Sequence, residues 1–257
     1  MRKGENIKSI DRLVENYEAE QINFLDQRFY KRNGEYYPSV TSVLSFFPKG
    51  KFFEDWLKQV GNNAKYIANE SADKGTKVHK LIDQWLTEKK QIRWIDDFGN
   101  AKYDLDVWKM FLRFTDFWDQ VKPKLVCSET HLYSDELKVA GTCDLVLDIE
   151  NERWLLDNKT SNHLNPSYDL QLAAYKKCWE ENYSTKIDRT GVLWLKSTKR
   201  IAKGLQGKGW EVVESKMPYD YNIKMFNSTH DLYKMLNPNA VPIFDIVSTM
   251  VEAPNIY

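Results

Sequence analysis

Apolar residues recur at helical spacing along two stretches in the first half of the chain, residues 52–60 and 64–90. In the longer stretch the positions at i, i+3, i+4 and i+7 hold Val78, Leu81, Ile82 and Trp85. A third helix is predicted over residues 102–120, and its apolar stripe consists of Leu105, Trp108, Phe111 and Leu112. Pro123 is expected to end that helix, because proline cannot continue the helical hydrogen-bond ladder. The first half of the chain is therefore predicted to be helical.

The pattern changes at residue 124, where short apolar runs separated by turn residues replace the helical period. Three strands are predicted, with the sequences KLVCSETHLYS (124–134), VAGTCDLVLDI (139–149) and RWLLDNKT (153–160). The connections SDELK and ENE are short enough for tight turns, so the three strands are expected to form an antiparallel meander.

A helix and a further strand follow the meander. Residues 165–183 keep a 3.6-residue period, residues 190–197 form a short apolar run, and another helix is predicted after residue 217. This order of elements predicts an α+β fold with a central mixed β-sheet flanked by helices. We expect a helical N-terminal elaboration at 1–120 and a core of sheet, helix and C-terminal elaboration at 121–257, packed together as one compact domain.

Composition leaves this fold prediction unchanged and bears mainly on partners. Hydrophobic residues make up 42% of the chain and aromatic residues 14%, which is enough for a packed core. The 37 Lys and Arg residues balance 37 Asp and Glu residues, so the formal net charge is zero. Contact with a polyanion would therefore depend on a local basic patch rather than on overall charge. No run approaches the ~18 apolar residues of a membrane span, and no membrane partner is expected.

The three cysteines, Cys127, Cys143 and Cys178, include no C-x-x-C pair. They are predicted to be reduced thiols, and they cannot supply the four thiolates of an iron–sulfur cluster. The first residues lack the apolar segment of a signal peptide, and their early acids disfavour a transit peptide. We therefore expect a cytoplasmic location, as in a bacterial or phage-infected cell.

Two neighbouring predicted strands bring acidic residues close to each other. Asp144 and Asp157 are separated by one hairpin, and strands 4.7–4.9 Å apart can place two carboxylates around one hard cation. Lys159 lies two residues after Asp157 and so projects from the same face of its strand. Carboxylates that hold Mg²⁺ or Mn²⁺ beside a lysine are suited to metal-assisted hydrolysis of a phosphodiester.

The same D-x-K triplet also occurs as a solvated ion pair at the end of a strand. Two features favour the catalytic interpretation. The apolar run before Asp157 makes that acid emerge directly from a buried strand. Gly141 permits close backbone approach just before Asp144.

The chain resembles the PD-(D/E)XK nucleases, in particular their RecB-like exonuclease branch, in the ordered strings AGTCDLVLD, WLLDNKTS and QLAAY. The resemblance implies a restriction-endonuclease-like core with Asp144, Asp157 and Lys159 as catalytic residues. It also implies that Asp144, Asp157 and the backbone carbonyl of Asn158 hold one or two Mg²⁺ or Mn²⁺ ions.

Three further matches extend the resemblance. KGTKVHKLID is similar to the G-T-x-x-H helix of that branch, which implies His79 as a metal ligand; a lone helical histidine is otherwise a core or surface residue. CSETHLYS is similar to a strand that carries an active-site glutamate, here Glu129, which could instead be an outward-facing strand residue. Gln171 and Tyr175 match a Q-x-x-x-Y element beside the catalytic lysine, although Tyr175 could equally be a core aromatic.

Contacts with DNA are expected from two segments. The string YYPSVTSVLSFF is similar to the Ser-Val-Thr segment of mitochondrial genome-maintenance exonucleases and implies phosphate contacts by Ser39, Thr41 and Ser42. The alternative is that these hydroxyls cap a helix. The basic string KSTKRIAKGLQGKGW would contact phosphate, or form a solvated hairpin, through Lys199, Arg200 and Lys203. Aromatic residues between positions 46 and 56 could stack on unpaired bases, but core packing is the more common fate of such residues.

The function expected from these observations is metal-dependent exonucleolytic hydrolysis of DNA from single-stranded ends, in repair, recombination or replication. Two alternatives stay open: a structure-specific endonuclease of the same fold, and a catalytically inactive DNA-binding module. The sequence contains no G-x-x-x-x-G-K-[ST] string, so a helicase or recombination partner would be supplied by another chain.

Overall fold

The computed structural model describes residues 20–24, 27–196, 206–207 and 209–242. The strands in these ranges are β1 (Glu20–Phe24), β2 (Gln27–Arg32), β3 (Glu35–Pro38), β4 (Lys124–Ser134), β5 (Val139–Ile149), β6 (Glu152–Lys159), β7 (Arg189–Trp194), β8 (Gln206–Gly207) and β9 (Trp210–Glu214). The helices are α1 (Val40–Leu44), α2 (Gly50–Val60), α3 (Ala64–Glu88), α4 (Leu105–Val121), α5 (Ser167–Asn182) and α6 (Tyr219–Leu236). No described helix is both long enough and apolar enough to cross a membrane.

The central sheet has the spatial strand order β4-β5-β6-β7-β9-β8. Strands β4, β5 and β6 form the predicted antiparallel meander, in which Leu145 pairs with Leu156. Strand β7 runs parallel to β6, because the chain returns through α5 to the other side of β6. The pairs β7–β9 and β9–β8 are antiparallel. The mixed central sheet with flanking helices confirms the predicted α+β fold.

Both faces of this sheet are buried. Leu145, Leu147 and Leu156 pack with residues of α3 and α4. Val146 and Leu155 alternate with them along the strands and pack with residues of α1, α5 and α6 on the other face. Burial on both faces explains why the sequences of β5 and β6 are almost continuously apolar. A carboxylate in either strand is therefore buried unless it lies near the edge of this packing.

A helical region was predicted for 1–120, but this region is not wholly helical. Strands β1, β2 and β3 form a separate antiparallel sheet there. Its second hairpin turns at Asn33 and Gly34, both of which have positive φ (51° and 83°). Asn-Gly is the favoured pair for this turn, so the sequence did carry a signal for the hairpin. Ser39, directly after β3, forms a parallel bridge with Ala140 of β5 and so joins the small sheet to the central one.

The buried face of α4 differs from the predicted stripe. The structure buries Val107, Met110, Phe111, Phe114 and Phe117. Leu105 and Leu112, which belonged to the predicted stripe, keep 49% and 46% of their surface exposed. The helix carries apolar residues around most of its circumference, so its periodicity did not show which side faces the core. Packing against α3 and the sheet determines which side is buried.

Two further segments depart from expectation. Strand β9 was not predicted, yet its Trp210 is buried and donates from Nε1 to Asp116 Oδ2 at 2.8 Å. Helix α2 contains no buried residue, and Phe52 is 93% exposed. The aromatic rings of α2 therefore do not enter the core, whereas Phe46 and Phe47 are partly buried against it.

Candidate active site

Three carboxylates lie side by side across β4, β5 and β6. Glu129 faces Asp144 in the register, between the pairs Ser128–Leu145 and Thr130–Cys143. The last pair of the β5–β6 ladder is Leu145 with Leu156. Asp144 and Asp157 occupy the next position along these two strands. Beyond that point the Asp144 carboxylate replaces the ladder, because the backbone N–H of Asn158 donates to Asp144 Oδ2 at 2.6 Å. The strands therefore separate where the acids lie.

Glu129 has an unusual backbone conformation for a residue inside a strand, with φ of 45°. A non-glycine residue in this left-handed region costs on the order of 1–3 kcal/mol and persists only where its surroundings hold it there. In this conformation the Glu129 carboxylate comes within 3.4 Å of His79 Nδ1. Such local strain is often found at functional sites.

His79 enters the site from α3. Its Nδ1 lies 3.5 Å from Asp144 Oδ2, and its Nε2 lies 3.1 Å from the backbone carbonyl oxygen of Asn158. Gly75, one turn earlier in α3, allows the helix to lie close to the end of β6. A Cβ atom at position 75 would be 3.1 Å from Thr160 Oγ1. The glycine of the G-T-x-x-H string thus lets α3 lie close to β6, and the histidine of the same string contacts β6 from that position.

The electrostatics of the site favour a positive charge among these acids. Burial lowers the pKa of His79, but the carboxylates of Asp144 and Glu129 outweigh burial and raise it to about 9. Burial raises the pKa of Asp157 to about 6, although the neighbouring Lys159 ammonium opposes this. Burial also raises the pKa of Asp144, against the effect of His79. A cation held at this point would relieve the desolvation of both aspartates.

The donors of the site suit a divalent metal ion. One ligand atom from each of His79, Glu129 and Asp144 lies within 4.8 Å of the others, and the Asn158 carbonyl faces the same imidazole. Two carboxylates, a carbonyl oxygen and an imidazole form a mostly hard donor set, which fits a divalent cation. The carboxylate of Asp157 is not part of this cluster; it faces Lys159 instead.

Lys159 is held from three sides. Its Nζ lies 2.6 Å from Asp157 Oδ2, donates to Gln171 Oε1 at 3.2 Å, and lies 4.6 Å from the centroid of the Tyr168 ring. Gln171 in turn donates from Nε2 to the Tyr175 hydroxyl at 3.3 Å. The predicted residues Gln171 and Tyr175 therefore form a chain of contacts that ends at the lysine. Tyr168 was not identified from the sequence.

The metal-ligand cluster and the Asp157–Lys159 pair meet in one cavity with a volume of about 560 Å³. The cavity is lined by the cluster residues, by Asp157, Lys159, Gln171 and Tyr175, and by polar residues from α3 and the N-terminal sheet. Two of its residues, Gln21 and Arg28, come from strands that the sequence reasoning did not predict. The Asn-Gly pair that joins β2 to β3 was the signal that could have located β2.

The predicted phosphate-binding hydroxyls have different surroundings. Ser39 is buried and caps α1, because its Oγ accepts from the Ser42 backbone N–H at 2.9 Å. Ser42 Oγ lies 2.9 Å from the backbone nitrogen of Arg28, which donates to it. Thr41 is exposed and lines the cavity. The predicted basic contacts, Lys199, Arg200 and Lys203, lie outside the described residues.

Comparison with known proteins agrees with this geometry. A family model described as the PD-(D/E)XK nuclease superfamily matches residues 28–227 of the chain. That range includes every residue of the metal-ligand cluster together with Asp157, Lys159, Gln171 and Tyr175. No curated protein matches the chain at a significant level. Because the family model covers more than half of its length, the chain belongs to the PD-(D/E)XK nuclease superfamily.

Proposed function

We propose that the protein is a Mg²⁺- or Mn²⁺-dependent DNA exonuclease of the RecB-like branch, similar to the mitochondrial genome-maintenance exonucleases. One observation carries the proposal. The His79–Glu129–Asp144 cluster and the Asp157–Lys159 pair open into the same cavity, so a site for a divalent cation and a half-buried ammonium face one substrate-sized space. This combination is what phosphodiester hydrolysis requires.

The cation would be held by His79, Glu129, Asp144 and the carbonyl oxygen of Asn158, and Asp157 is a further candidate ligand. When bound, it supplies Lewis-acid stabilisation of the phosphate and acidifies water. Glu129 and Asp144 contribute the negative charge that attracts it. The hydrogen bond from the Asn158 N–H holds Asp144 in place, so this carboxylate needs little rearrangement on binding.

Lys159 supplies a fixed positive charge. Burial lowers its pKa, but the Asp157 and Asp144 carboxylates outweigh burial and raise it above its usual value, so the side chain is an ammonium at neutral pH. Its contacts with Asp157 Oδ2 and Gln171 Oε1 leave it a further proton to donate. We assign that proton to the attacking water or to a non-bridging oxygen of the scissile phosphate.

The preference for single-stranded ends is supported by the size of the cavity and by the ordered motifs. A volume of about 560 Å³ falls within the range of about 300–1,000 Å³ typical of small-ligand sites. Such a space accepts a short piece of single strand more readily than an intact duplex. A role in repair, recombination or replication follows from this substrate, with unwinding supplied by another chain.

The test uses linear single-stranded, linear double-stranded and covalently closed circular single-stranded DNA, each incubated with Mg²⁺, Mn²⁺ or EDTA. We expect digestion of the linear single strand with either metal, no digestion in EDTA, and an intact circle. Asp157→Ala serves as the matched control for contaminating nucleases. Cleavage of the circle would instead make the protein an endonuclease. No digestion of any substrate by the unmodified protein would leave it a binding module.

A further inference from the structure

Arg28 is a cavity residue to which the proposed chemistry assigns no role. It lines the cavity from β2. Other arginines in the described part of the chain pair with carboxylates, such as Arg32 with Asp135 and Arg189 with Glu214. The guanidinium of Arg28 has no ion pair with a described carboxylate. The guanidinium lies beside the Tyr30 hydroxyl, a neutral partner, so its charge stays available to an anionic ligand.

The backbone of Arg28 is held firmly by the start of α1. Its N–H donates to Ser42 Oγ at 2.9 Å, and its carbonyl accepts from the Ser39 N–H at 2.8 Å. Ser39 also donates from Oγ to Ser42 Oγ at 2.8 Å, so the two hydroxyls support each other. The Ser42 hydroxyl and the Ser39 backbone N–H therefore both hold the backbone of this arginine. This arrangement anchors the backbone from which the guanidinium extends.

The walls of the cavity differ in their chemistry. The wall from the N-terminal sheet and α1 consists of Gln21, Arg28 and Thr41, which offer an amide, a guanidinium and a hydroxyl but no carboxylate. The acids of the cluster line the cavity from β4 and β5. A phosphate group is attracted to the first wall and is tolerated at the second only beside a cation.

A hydrogen bond connects the N-terminal sheet with the strand that carries Asp144. The Tyr30 hydroxyl lies 3.0 Å from Thr142 Oγ1, and Thr142 is two residues before Asp144 in β5. Tyr30 itself is two residues after Arg28 in β2 and is almost fully buried. The position of Arg28 relative to the metal-ligand cluster is thus set by packed elements rather than by a free loop.

We infer that Arg28, with Thr41 beside it, forms a second anion subsite that binds a non-scissile phosphate of the substrate strand. The planar guanidinium can donate two parallel hydrogen bonds to one phosphate, which a lysine cannot do. Holding this phosphate would place a neighbouring phosphodiester at the cluster and so position the scissile bond. The inference rests on the proposed function for the identity of the strand, but its test does not need turnover.

The test compares the unmodified protein with Arg28→Gln, Arg28→Lys and the matched control Lys31→Gln. Lys31 lies on the same strand, is exposed and does not line the cavity. Binding of short fluorescent single-stranded DNA is measured in EDTA over a range of salt concentrations. We expect Arg28→Gln to bind about tenfold more weakly. Its slope of log K against log salt should be smaller by about 0.7, the value for one lost phosphate contact on a single strand. Arg28→Lys should keep the slope but lose affinity, and Lys31→Gln should behave like the unmodified protein.

Three oligonucleotides distinguish the source of the phosphate: one with a 5′-phosphate, one with a 3′-phosphate, and one with hydroxyls at both ends. Equal loss on all three assigns the contact to an internal phosphate. A loss confined to one phosphorylated end assigns it to that terminal phosphate. Identical affinity and slope for Arg28→Gln and the unmodified protein would overturn the inference, whatever the outcome of the cleavage assay. Equal thermal unfolding midpoints of the Gln variants verify that both fold.

Discussion

The ring of Tyr175 lies directly against the backbone of Gly141. A Cβ atom at position 141 would be 2.5 Å from Tyr175 Cε1 and 2.9 Å from its hydroxyl oxygen. The tyrosine is buried and its hydroxyl accepts a hydrogen bond from Gln171, which in turn contacts Lys159. The absence of a side chain at Gly141 therefore affects the position of the lysine through two intervening residues.

Replacement of Gly141 by alanine is expected to disturb this chain of contacts. The rigid ring has to move, which should destabilise the protein by about 1–3 kcal/mol and displace Gln171 from Lys159. Gly191→Ala is the matched control, because position 191 is also in the central sheet and its added Cβ meets Val212 at a milder 3.1 Å. Urea unfolding and nuclease assays should show loss of both stability and activity for Gly141→Ala, but normal activity for Gly191→Ala. A fully active Gly141→Ala would contradict this role.

The core of this region was predictable from sequence for clear physical reasons. Strands β4 and β5 occupy the predicted ranges 124–134 and 139–149, because apolar runs bounded by turn residues mark strands buried in a sheet. The close approach at Gly141 was also expected, since a glycine within a strand often marks a tight contact. Local sequence carried both signals.

Other parts of the site depend on tertiary structure. The place of Glu129 in the metal-ligand cluster requires a left-handed backbone in the middle of β4, and no residue type nearby predicts it. The contribution of Arg28 to the cavity requires the N-terminal sheet to dock on β5 through the Ser39–Ala140 bridge. Both arise from contacts between segments far apart in the chain, which hydrophobic periodicity does not report.

Asp157 and Lys159 are expected to be essential for turnover. Asp157→Ala and Lys159→Ala should each reduce metal-dependent nucleotide release by about 10²–10³-fold or more, because each removes a charge that acts on the reacting phosphate. Binding of single-stranded DNA should remain. Lys176→Ala is the matched control, since Lys176 lies on α5, interacts with Glu180 and does not line the cavity.

Stability measurements on the same variants test the Asp157–Lys159 ion pair independently of turnover. Each single change leaves one buried charged group without its partner, which costs about 3–5 kcal/mol. The double variant removes both groups and should be more stable than either single variant while remaining inactive. Undiminished digestion by Asp157→Ala and Lys159→Ala would remove the proposed site.

His79 is expected to contribute to metal affinity. His79→Ala removes the imidazole from the cluster with Glu129 and Asp144, so the Mn²⁺ concentration for half-maximal activity should rise by about tenfold or more. His163→Ala, a change to an exposed histidine, is the matched control. A metal titration of cleavage rate measures both variants. An unchanged Mn²⁺ requirement in His79→Ala would make this histidine a structural residue.

His230 on α6 should make stability depend on pH at a distance from the active site. It is buried between Phe226 and Tyr233, and burial, aided by the charge of Lys234, lowers its pKa to about 4. The unfolded chain, with a pKa near 6.5, binds a proton between pH 6.5 and 4 that the folded protein does not bind. The stability due to this histidine is therefore complete above pH 6.5 and is lost as the pH falls towards 4.

The expected loss from His230 is up to about 3 kcal/mol, since each pKa unit corresponds to about 1.36 kcal/mol. In His230→Gln the side chain stays neutral at every pH, so the free energy of unfolding should fall less between pH 7 and pH 4.5 than in the unmodified protein. His163→Gln, a change to an exposed histidine, is the matched control. Its free energy of unfolding should fall between pH 7 and pH 4.5 by as much as that of the unmodified protein. Urea unfolding at both pH values measures the difference. Parallel losses in His230→Gln and the unmodified protein would show that His230 can take up its proton without disturbing the packing between α6 and the sheet.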